Sequence, residues 1–205
     1  MKNINTLVED VYGVLSSSKA DSNVDVDKVI EDFGESMKSL LRDNVLKVRE
    51  DKRTLRMSNI GRKERFLWYV HKGMPQEQMK PSTLMKFLYG HATEELVLAL
   101  VKLAGHEVTH QQAEAEVSGI KGSMDCVIDG EVVDIKTASG FAFKKFKDGT
   151  LREDDTFGYL AQLAGYEAGH GTSGGGFLAM NKESGELALY LPEELDKPNI
   201  ETKID

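Results

Sequence analysis

The amino-acid sequence predicts an α/β fold in which a central mixed β-sheet is flanked by helices. Three observations lead to this fold class. Apolar residues recur at helical spacing through the first half of the chain, they alternate with polar residues beyond Gly105, and a second helical pattern interrupts the later alternating segments. With 205 residues, the chain is long enough to bury a hydrophobic core without disulfide bonds or a structural metal.

The helical spacing covers most of the first half of the chain. Gly73 with Pro75, and later Gly105, supply signals that end helices. The pattern predicts a helix followed by a loop within residues 1–30, and then helices over Val26–Arg53, over Arg62–His71, and from a cap at Ser82 or Thr83 to about Ala104.

Beyond Gly105 the apolar period changes to two, which is typical of strands. A helix capped by Asp154 or Asp155 and ending near Ala168 separates the earlier strands from the later ones. The polar segment 192–205 is expected to form a loose tail. The predicted strands cover residues 107–116, 122–128, 131–137, 177–181 and 186–191.

Composition excludes several classes of protein. The single cysteine, Cys126, cannot form an internal disulfide, a cysteine-based zinc site or a cysteine-ligated iron–sulfur cluster. The longest apolar run, Leu96–Val101, is far shorter than the ~20 residues of a membrane-spanning helix. The first twenty residues also lack the layout of a signal peptide. We therefore expect a cytoplasmic protein with no membrane partner.

The charge is unevenly distributed. The formal net charge is −8, yet residues 38–65 contain ten basic residues and only four acidic ones. Such a basic stretch can attract a polyanion even when the whole molecule is negative, and it makes Arg62, Lys63 and Arg65 candidates for contact with nucleic-acid phosphates. The alternative is a solvated helix face whose charges pair within the helix. Charge alone leaves both interpretations open.

The most informative segment is a predicted hairpin. Asp129-Gly130 stands between two apolar runs, which is the strongest short signal for a two-residue type I′ turn. This turn would pair Ile128 with Glu131, and the same register would place Asp125 directly opposite Asp134. Lys136, two residues further on, would project from the same face as Asp134.

Two facing carboxylates repel each other, so their retention in a sheet favours a divalent cation between them. Carboxylates without thiols or clustered histidines suit Mg²⁺ or Mn²⁺. The lysine beside them can orient a metal-bound water or neutralise charge that develops on a phosphate. The alternative is a wet outer face on which Asp134 and Lys136 form a simple salt bridge.

The Asp125…Asp134-Ile135-Lys136 arrangement resembles the PD-(D/E)xK nuclease superfamily, in its RecB-like and lambda-exonuclease-like branch. Upstream, Gly90 and Glu94 have the spacing of that branch's glycine-and-acid motif, with His91 and Glu95 as less favoured substitutes for Glu94. Downstream, Gln162-Leu-Ala-Gly-Tyr166 matches its Gln-x-x-x-Tyr motif, whose two named residues share one helix face. Met124 stands where the superfamily's name places proline. Because Cys126 is alone, the resemblance is to phage-type enzymes without an iron–sulfur cluster.

The resemblance implies a restriction-endonuclease-like core over residues 56–191, after an N-terminal helical region over 1–55 and before the polar tail over 192–205. It implies that Glu94, Asp125, Asp134 and the backbone carbonyl of Ile135 hold one or two Mg²⁺ or Mn²⁺ ions. Lys136 would position the attacking water, while Gln162 and Tyr166 would support the substrate strand. Trp68 and Tyr69 could stack on DNA, but for Trp68 a place in the core is preferred.

The implied function is a metal-dependent deoxyribonuclease, an exonuclease of DNA recombination, repair or replication in a bacterial or phage-infected cell. Linear DNA is the expected partner, and a homo-oligomer or a recombination or replication protein could be another. Two alternatives stay open. The chain could be a structure-specific endonuclease of the same superfamily, or an inactive nucleic-acid- or protein-binding module on this fold.

Overall fold

The computed structural model describes residues 2–46, 54–75 and 77–204, which form two compact units. Residues 1–51 and 77–108 belong to the first unit, and residues 52–76 and 109–205 belong to the second. In the described residues the helices are α1 (Leu7–Ser17), α2 (Val26–Leu41), α3 (Glu64–His71), α4 (Pro81–Leu103), α5 (Gly140–Lys147), α6 (Tyr159–His170) and α7 (Glu201–Ile204).

The first unit is helical, as the spacing of its apolar residues predicts. Helices α1 and α2 both pack against α4, and the buried side chains include Leu7 and Val11 on α1 and Val97 and Val101 on α4. Helix α4 begins at Pro81, before the predicted cap at Ser82 or Thr83, because Pro81 occupies its first turn, where the missing N–H of proline costs no hydrogen bond. The predicted continuation of α2 becomes a π-helical turn over Arg42–Leu46, and its end at Arg53 lies outside the described residues.

The strands form a five-stranded mixed sheet and a separate hairpin. The sheet has the order β1-β4-β5-β6-β7, and β2 pairs only with β3 among the described residues. Within the sheet β5 and β6 are parallel, whereas β4 with β5 and β6 with β7 are antiparallel. The strands are β1 (Val108–Thr109), β2 (Glu114–Val117), β3 (Ile120–Ser123), β4 (Cys126–Ile128), β5 (Glu131–Ala138), β6 (Gly176–Asn181) and β7 (Leu187–Tyr190).

The crossover from β5 to β6 carries the helices of the second unit. Parallel strands need a long connection, which here contains α5 and α6. Helix α5 packs on β5, β6 and β7, and α6 packs on β5 and β2. Phe143 of α5, Leu163 of α6 and Phe177 of β6 meet in one apolar core. Helix α5 was not predicted from the sequence.

Three further expectations are wrong in detail. The strand predicted over 107–116 is two strands, because His110 and Gln112 adopt left-handed backbone angles between β1 and β2. The strand predicted over 122–128 is interrupted before Cys126. The tail predicted to be loose is docked, since Ile200 is buried in the apolar core and the side chain of Lys197 pairs with buried Glu167 at 2.6 Å.

The fold class is nevertheless the one predicted, a central mixed sheet flanked by helices with helices before it. No helix in the described part of the chain is both long enough and apolar enough to cross a membrane.

Candidate active site

The predicted hairpin is present with its predicted register. Asp129 and Gly130 adopt φ angles of 52° and 92°, as a type I′ turn requires at both central positions. Ile128 pairs with Glu131, and Cys126 pairs with Val133. All three residues of β4 are buried, as expected for a strand inside the sheet.

Asp125 leaves this ladder one residue before it would face Asp134. The backbone carbonyl of Asp125 instead accepts a hydrogen bond from the Gln112 N–H at 3.0 Å, and the neighbouring Met124 N–H donates to Ala113. The carboxylate of Asp125 turns toward β5 and accepts the Ile135 N–H at 2.8 Å. The pairing of β4 with β5 is described only as far as Cys126 and Val133, so the direct opposition of Asp125 and Asp134 stays a prediction, and Asp125 lies against the strand that carries Asp134.

Asp134 and Lys136 project from the same face of β5 and form an ion pair. The Lys136 Nζ lies 2.5 Å from Asp134 Oδ2. Asp134 is 1% exposed, so the alternative of a wet outer face is wrong, although the salt bridge that it invoked exists. Burial opposes the charged form of Lys136, but the carboxylates of Asp134 and Asp125 outweigh it and raise the pKa of Lys136. The lysine therefore carries a full positive charge.

Tyr159 is a neighbour of the lysine that sequence reasoning missed. The Lys136 Nζ lies 5.0 Å from the centre of the Tyr159 ring, a distance typical of a cation–π contact. Tyr159 is the first residue of α6, and the Asp155 carboxylate accepts the N–H groups of Gly158, Tyr159 and Leu160 at 2.9 Å each. Helix α6 follows Gly158 and so begins later than the predicted cap at Asp154 or Asp155. Asp155 was nevertheless the available signal, because its carboxylate binds the N–H groups at the start of α6.

Gln162 and Tyr166 form a buried pair on α6. The Gln162 amide donates to the Tyr166 hydroxyl at 3.2 Å, as the spacing of four residues allows. Burial raises the pKa of Tyr166 to about 12 despite this hydrogen bond. The charges of Asp134, Asp125 and Lys136 also act on the Tyr166 hydroxyl, which places this pair beside the hairpin.

The remaining predicted ligands are Glu94 and the carbonyl of Ile135. Glu94 is a buried residue of α4 in the first unit, where its Oε2 lies 3.6 Å from Nδ1 of His91. Among the residues that the structure describes, no three His, Cys, Asp or Glu side chains are grouped as metal ligands. The metal-binding roles of Glu94 and Ile135 accordingly stay predictions.

The predicted nucleic-acid contacts lie at the start of α3 in the second unit. The Arg62 guanidinium stands over two exposed rings, 4.8 Å from the centre of Phe157 and 5.9 Å from that of Phe66. Arg65 lies 5.7 Å from the Tyr69 ring and donates to its hydroxyl at 3.2 Å, and Lys63 is exposed. Trp68, expected in the core, is 54% exposed.

Chemically, the hairpin presents two carboxylates and one ammonium group. Carboxylate oxygens are hard ligands of the kind that Mg²⁺ and Mn²⁺ prefer, so Asp125 and Asp134 fit such an ion by their chemistry. Lys136 forms an ion pair with Asp134. With an ion bound to Asp134, the positive charge of Lys136 would be available to an anionic substrate.

Comparison with solved structures finds the same fold in an alkaline exonuclease, LHK-Exo, from Laribacter hongkongensis. The two chains are 13% identical, and the similarity covers 75% of this chain and 84% of that chain with a TM-score of 0.50. A protein named SSO0001 matches with 18% identity over 83% of this chain and 81% of its own, with a TM-score of 0.45. No protein-family model matches the sequence, and neither does any curated protein. The predicted resemblance is thus confirmed at the level of the fold.

Proposed function

We propose that this chain is a Mg²⁺- or Mn²⁺-dependent deoxyribonuclease that hydrolyses phosphodiester bonds, and specifically an exonuclease of DNA recombination, repair or replication. The observation that carries the proposal is the buried Asp134–Lys136 pair, with the Asp125 carboxylate against the same strand. A buried charge cluster is costly for a protein to maintain, and such clusters concentrate at functional sites. The fold shared with an alkaline exonuclease supports the same reaction class.

Each residue has a part in this proposal. Asp125 and Asp134, with the Ile135 carbonyl, would hold one or two ions, and a bound ion would polarise the phosphate and lower the pKa of its water. Lys136 would position the attacking water and stabilise negative charge on the phosphate oxygens. Gln162 and Tyr166 hold each other beside the hairpin and would support the substrate strand.

The acidic net charge of −8 does not contradict a DNA substrate, because charge distribution governs where a polyanion binds. Arg62, Lys63 and Arg65 supply a basic surface in the same unit as the hairpin. Their guanidinium and ammonium groups would position the DNA backbone without reading its sequence.

The test measures cleavage of linear single- and double-stranded DNA, labelled at the 5′ or the 3′ end, with Mg²⁺, Mn²⁺ or EDTA. Wild-type protein should degrade linear DNA only with metal, spare closed circles, and lose at least about 100-fold in rate on Lys136→Ala. Lys121→Ala is the matched control, since Lys121 is also paired with two carboxylates, Glu114 and Glu116, but on an exposed hairpin.

Each alternative predicts a different result. Nicked closed circles would replace the exonuclease by a structure-specific endonuclease. Folded protein that cleaves no substrate and shows no heat of Mn²⁺ binding would favour the inactive binding module. Cleavage that survives Lys136→Ala would refute the assignment of this site.

A further inference from the structure

The exposed aromatic rings around Arg62 are not explained by core packing. Phe66 is 44% exposed and Phe157 is 50% exposed, although each ring has an arginine beside it. Trp68 and Tyr69 continue this series on α3 at 54% and 37%. We call the group formed by Arg62, Phe66 and Phe157 the aromatic surface. Clustered exposed rings of this kind mark binding surfaces rather than ordinary protein exterior.

Close backbone contact keeps the two halves of the aromatic surface together. A Cβ atom built on Gly61 or on Gly158 would collide with the backbone of the other glycine, so these two segments touch without side chains between them. Arg62 and Phe157 are the neighbours of these glycines in sequence. Their contact is therefore fixed by the fold and does not depend on flexible side chains alone.

The aromatic surface is continuous with the candidate active site. Phe157 stacks on Tyr159, with ring centres 5.4 Å apart and planes 18° apart, and Tyr159 in turn contacts Lys136. A series of contacts thus runs from Lys136 through Tyr159, Phe157 and Arg62 to Phe66. A nucleic-acid strand bound at Lys136 through one phosphate would reach these rings with its adjoining nucleotides.

Charge and shape together define the ligand. Three of the four residues in 62–65 are basic, so the surface suits a polyanion. Exposed aromatic rings suit unstacked bases, which neither pair with a second strand nor stack on their neighbours. Bases inside a duplex cannot offer these faces.

We propose that the aromatic surface binds the unpaired bases of single-stranded DNA and positions that strand at Lys136. This inference rests on the proposed function and specifies its substrate class. Arg62 contacts the DNA backbone, and the rings stack on the bases. The binding free energy therefore has one contribution that depends on salt concentration and one that does not.

Fluorescence anisotropy in EDTA measures binding of a labelled single-stranded oligonucleotide and of a duplex with both ends closed by loops. Wild-type protein should bind the single strand more tightly. Phe66→Leu and Phe157→Leu should each weaken single-strand binding about 10-fold and leave the salt dependence unchanged, because stacking releases no counterions. Arg62→Gln should instead reduce the slope of log affinity against log salt by about 0.7.

Phe141→Leu is the matched control. Phe141 is a more exposed phenylalanine, at 78%, with Lys145 5.4 Å from its ring, but it lies on α5. Its replacement should leave binding unchanged. Equal loss from Phe141→Leu, equal affinity for the two DNAs, or unchanged binding by both Phe66→Leu and Phe157→Leu would overturn the inference.

The same variants separate this inference from the proposed function. If cleavage requires Lys136 but neither phenylalanine variant affects binding, the nuclease proposal stands and the aromatic surface is not its substrate site. If the phenylalanine variants weaken single-strand binding but no condition gives cleavage, the surface stands as a binding site and the nuclease proposal fails.

Discussion

Two hairpins of the second unit have the same kind of turn and opposite surroundings. Ser118-Gly119 joins β2 to β3 with φ angles of 48° and 80°, and Asp129-Gly130 joins β4 to β5 with φ angles of 52° and 92°. Ala115 is the one buried residue of the β2–β3 hairpin strands, and their other residues are exposed or half-buried, whereas every residue of β4 is buried. Local turn geometry is therefore shared, and burial is what differs.

Both hairpins also hold one lysine with two carboxylates. Lys121 lies 2.5 Å from Glu114 and 3.4 Å from Glu116, and all three side chains are well exposed. Lys136 lies 2.5 Å from Asp134 and within the influence of Asp125, but the Asp134 side chain is only 2% exposed. Water screens the interactions between the charges of the first cluster, whereas burial strengthens those between the charges of the second. The same charge pattern is a solvated ion pair in one hairpin and a candidate active site in the other.

The largest expected effect comes from removing the lysine of each cluster. Lys136→Met should lower the free energy of unfolding by about 3 kcal/mol, because it leaves the Asp134 carboxylate buried without its cation. Lys121→Met should leave stability unchanged within error, since water solvates the carboxylates that remain. Denaturant unfolding of the metal-free protein near neutral pH measures both.

A second substitution isolates the buried charge as the cause. Asp134→Asn added to Lys136→Met should restore most of the lost stability, because it removes the uncompensated carboxylate. The double variant should remain inactive in cleavage. Equal losses from Lys136→Met and Lys121→Met would show that burial does not distinguish the two hairpins.

The sequence predicted the β4–β5 hairpin down to its turn residues, but the β2–β3 hairpin only as two strands joined by a short turn, for a physical reason. Asp129-Gly130 lies between continuous apolar runs, so both its turn residues and its buried strands are visible in the sequence. Ser118-Gly119 lies between alternating segments, so the predicted strands over 107–116 and 122–128 did not define which residues form the turn. Helix α5 was missed because its apolar residues, Phe143 and Phe146, follow the strand β5 with only a short break.

The site was predictable where it depended on local spacing. The shared face of Asp134 and Lys136 follows from the strand period, and the Gln162–Tyr166 contact follows from the helix period. The surroundings of Asp125 include the distant residues Gln112 and Ala113, which form backbone hydrogen bonds with Asp125 and Met124. No local pattern could reveal those contacts, nor the exposure of Trp68.

An intermediate effect is expected from adding a methyl group at the glycine of each turn. Gly119→Ala and Gly130→Ala should each cost about 1 kcal/mol, because both glycines have positive φ angles and neither has atoms within 4 Å of an added Cβ. Cleavage should survive in both variants, since the buried strands keep the register of the site. Thermal unfolding and the cleavage assay measure the two effects. Loss of cleavage confined to Gly130→Ala would mean that the turn itself, and not burial, fixes the site.

The smallest effect is expected at Tyr166. Its ring lies against Gly122 of β3 and near the charged residues of β5, so it lies beside both hairpins. Tyr166→Phe removes the hydroxyl that accepts the Gln162 amide, which should cost about 0.5 kcal/mol near neutral pH.

The pH dependence of this cost tests the burial of the hydroxyl. An unfolded tyrosine has a pKa near 10, whereas burial raises the pKa of Tyr166 to about 12 in the folded protein. As pH rises between these values, the unfolded chain releases this proton first, so wild-type protein loses stability that the phenylalanine variant keeps. The difference in free energy of unfolding between wild type and Tyr166→Phe should therefore shrink above about pH 10. A difference that stays constant would show that the Tyr166 hydroxyl is solvated, and that α6 does not close over the hairpin that carries Lys136.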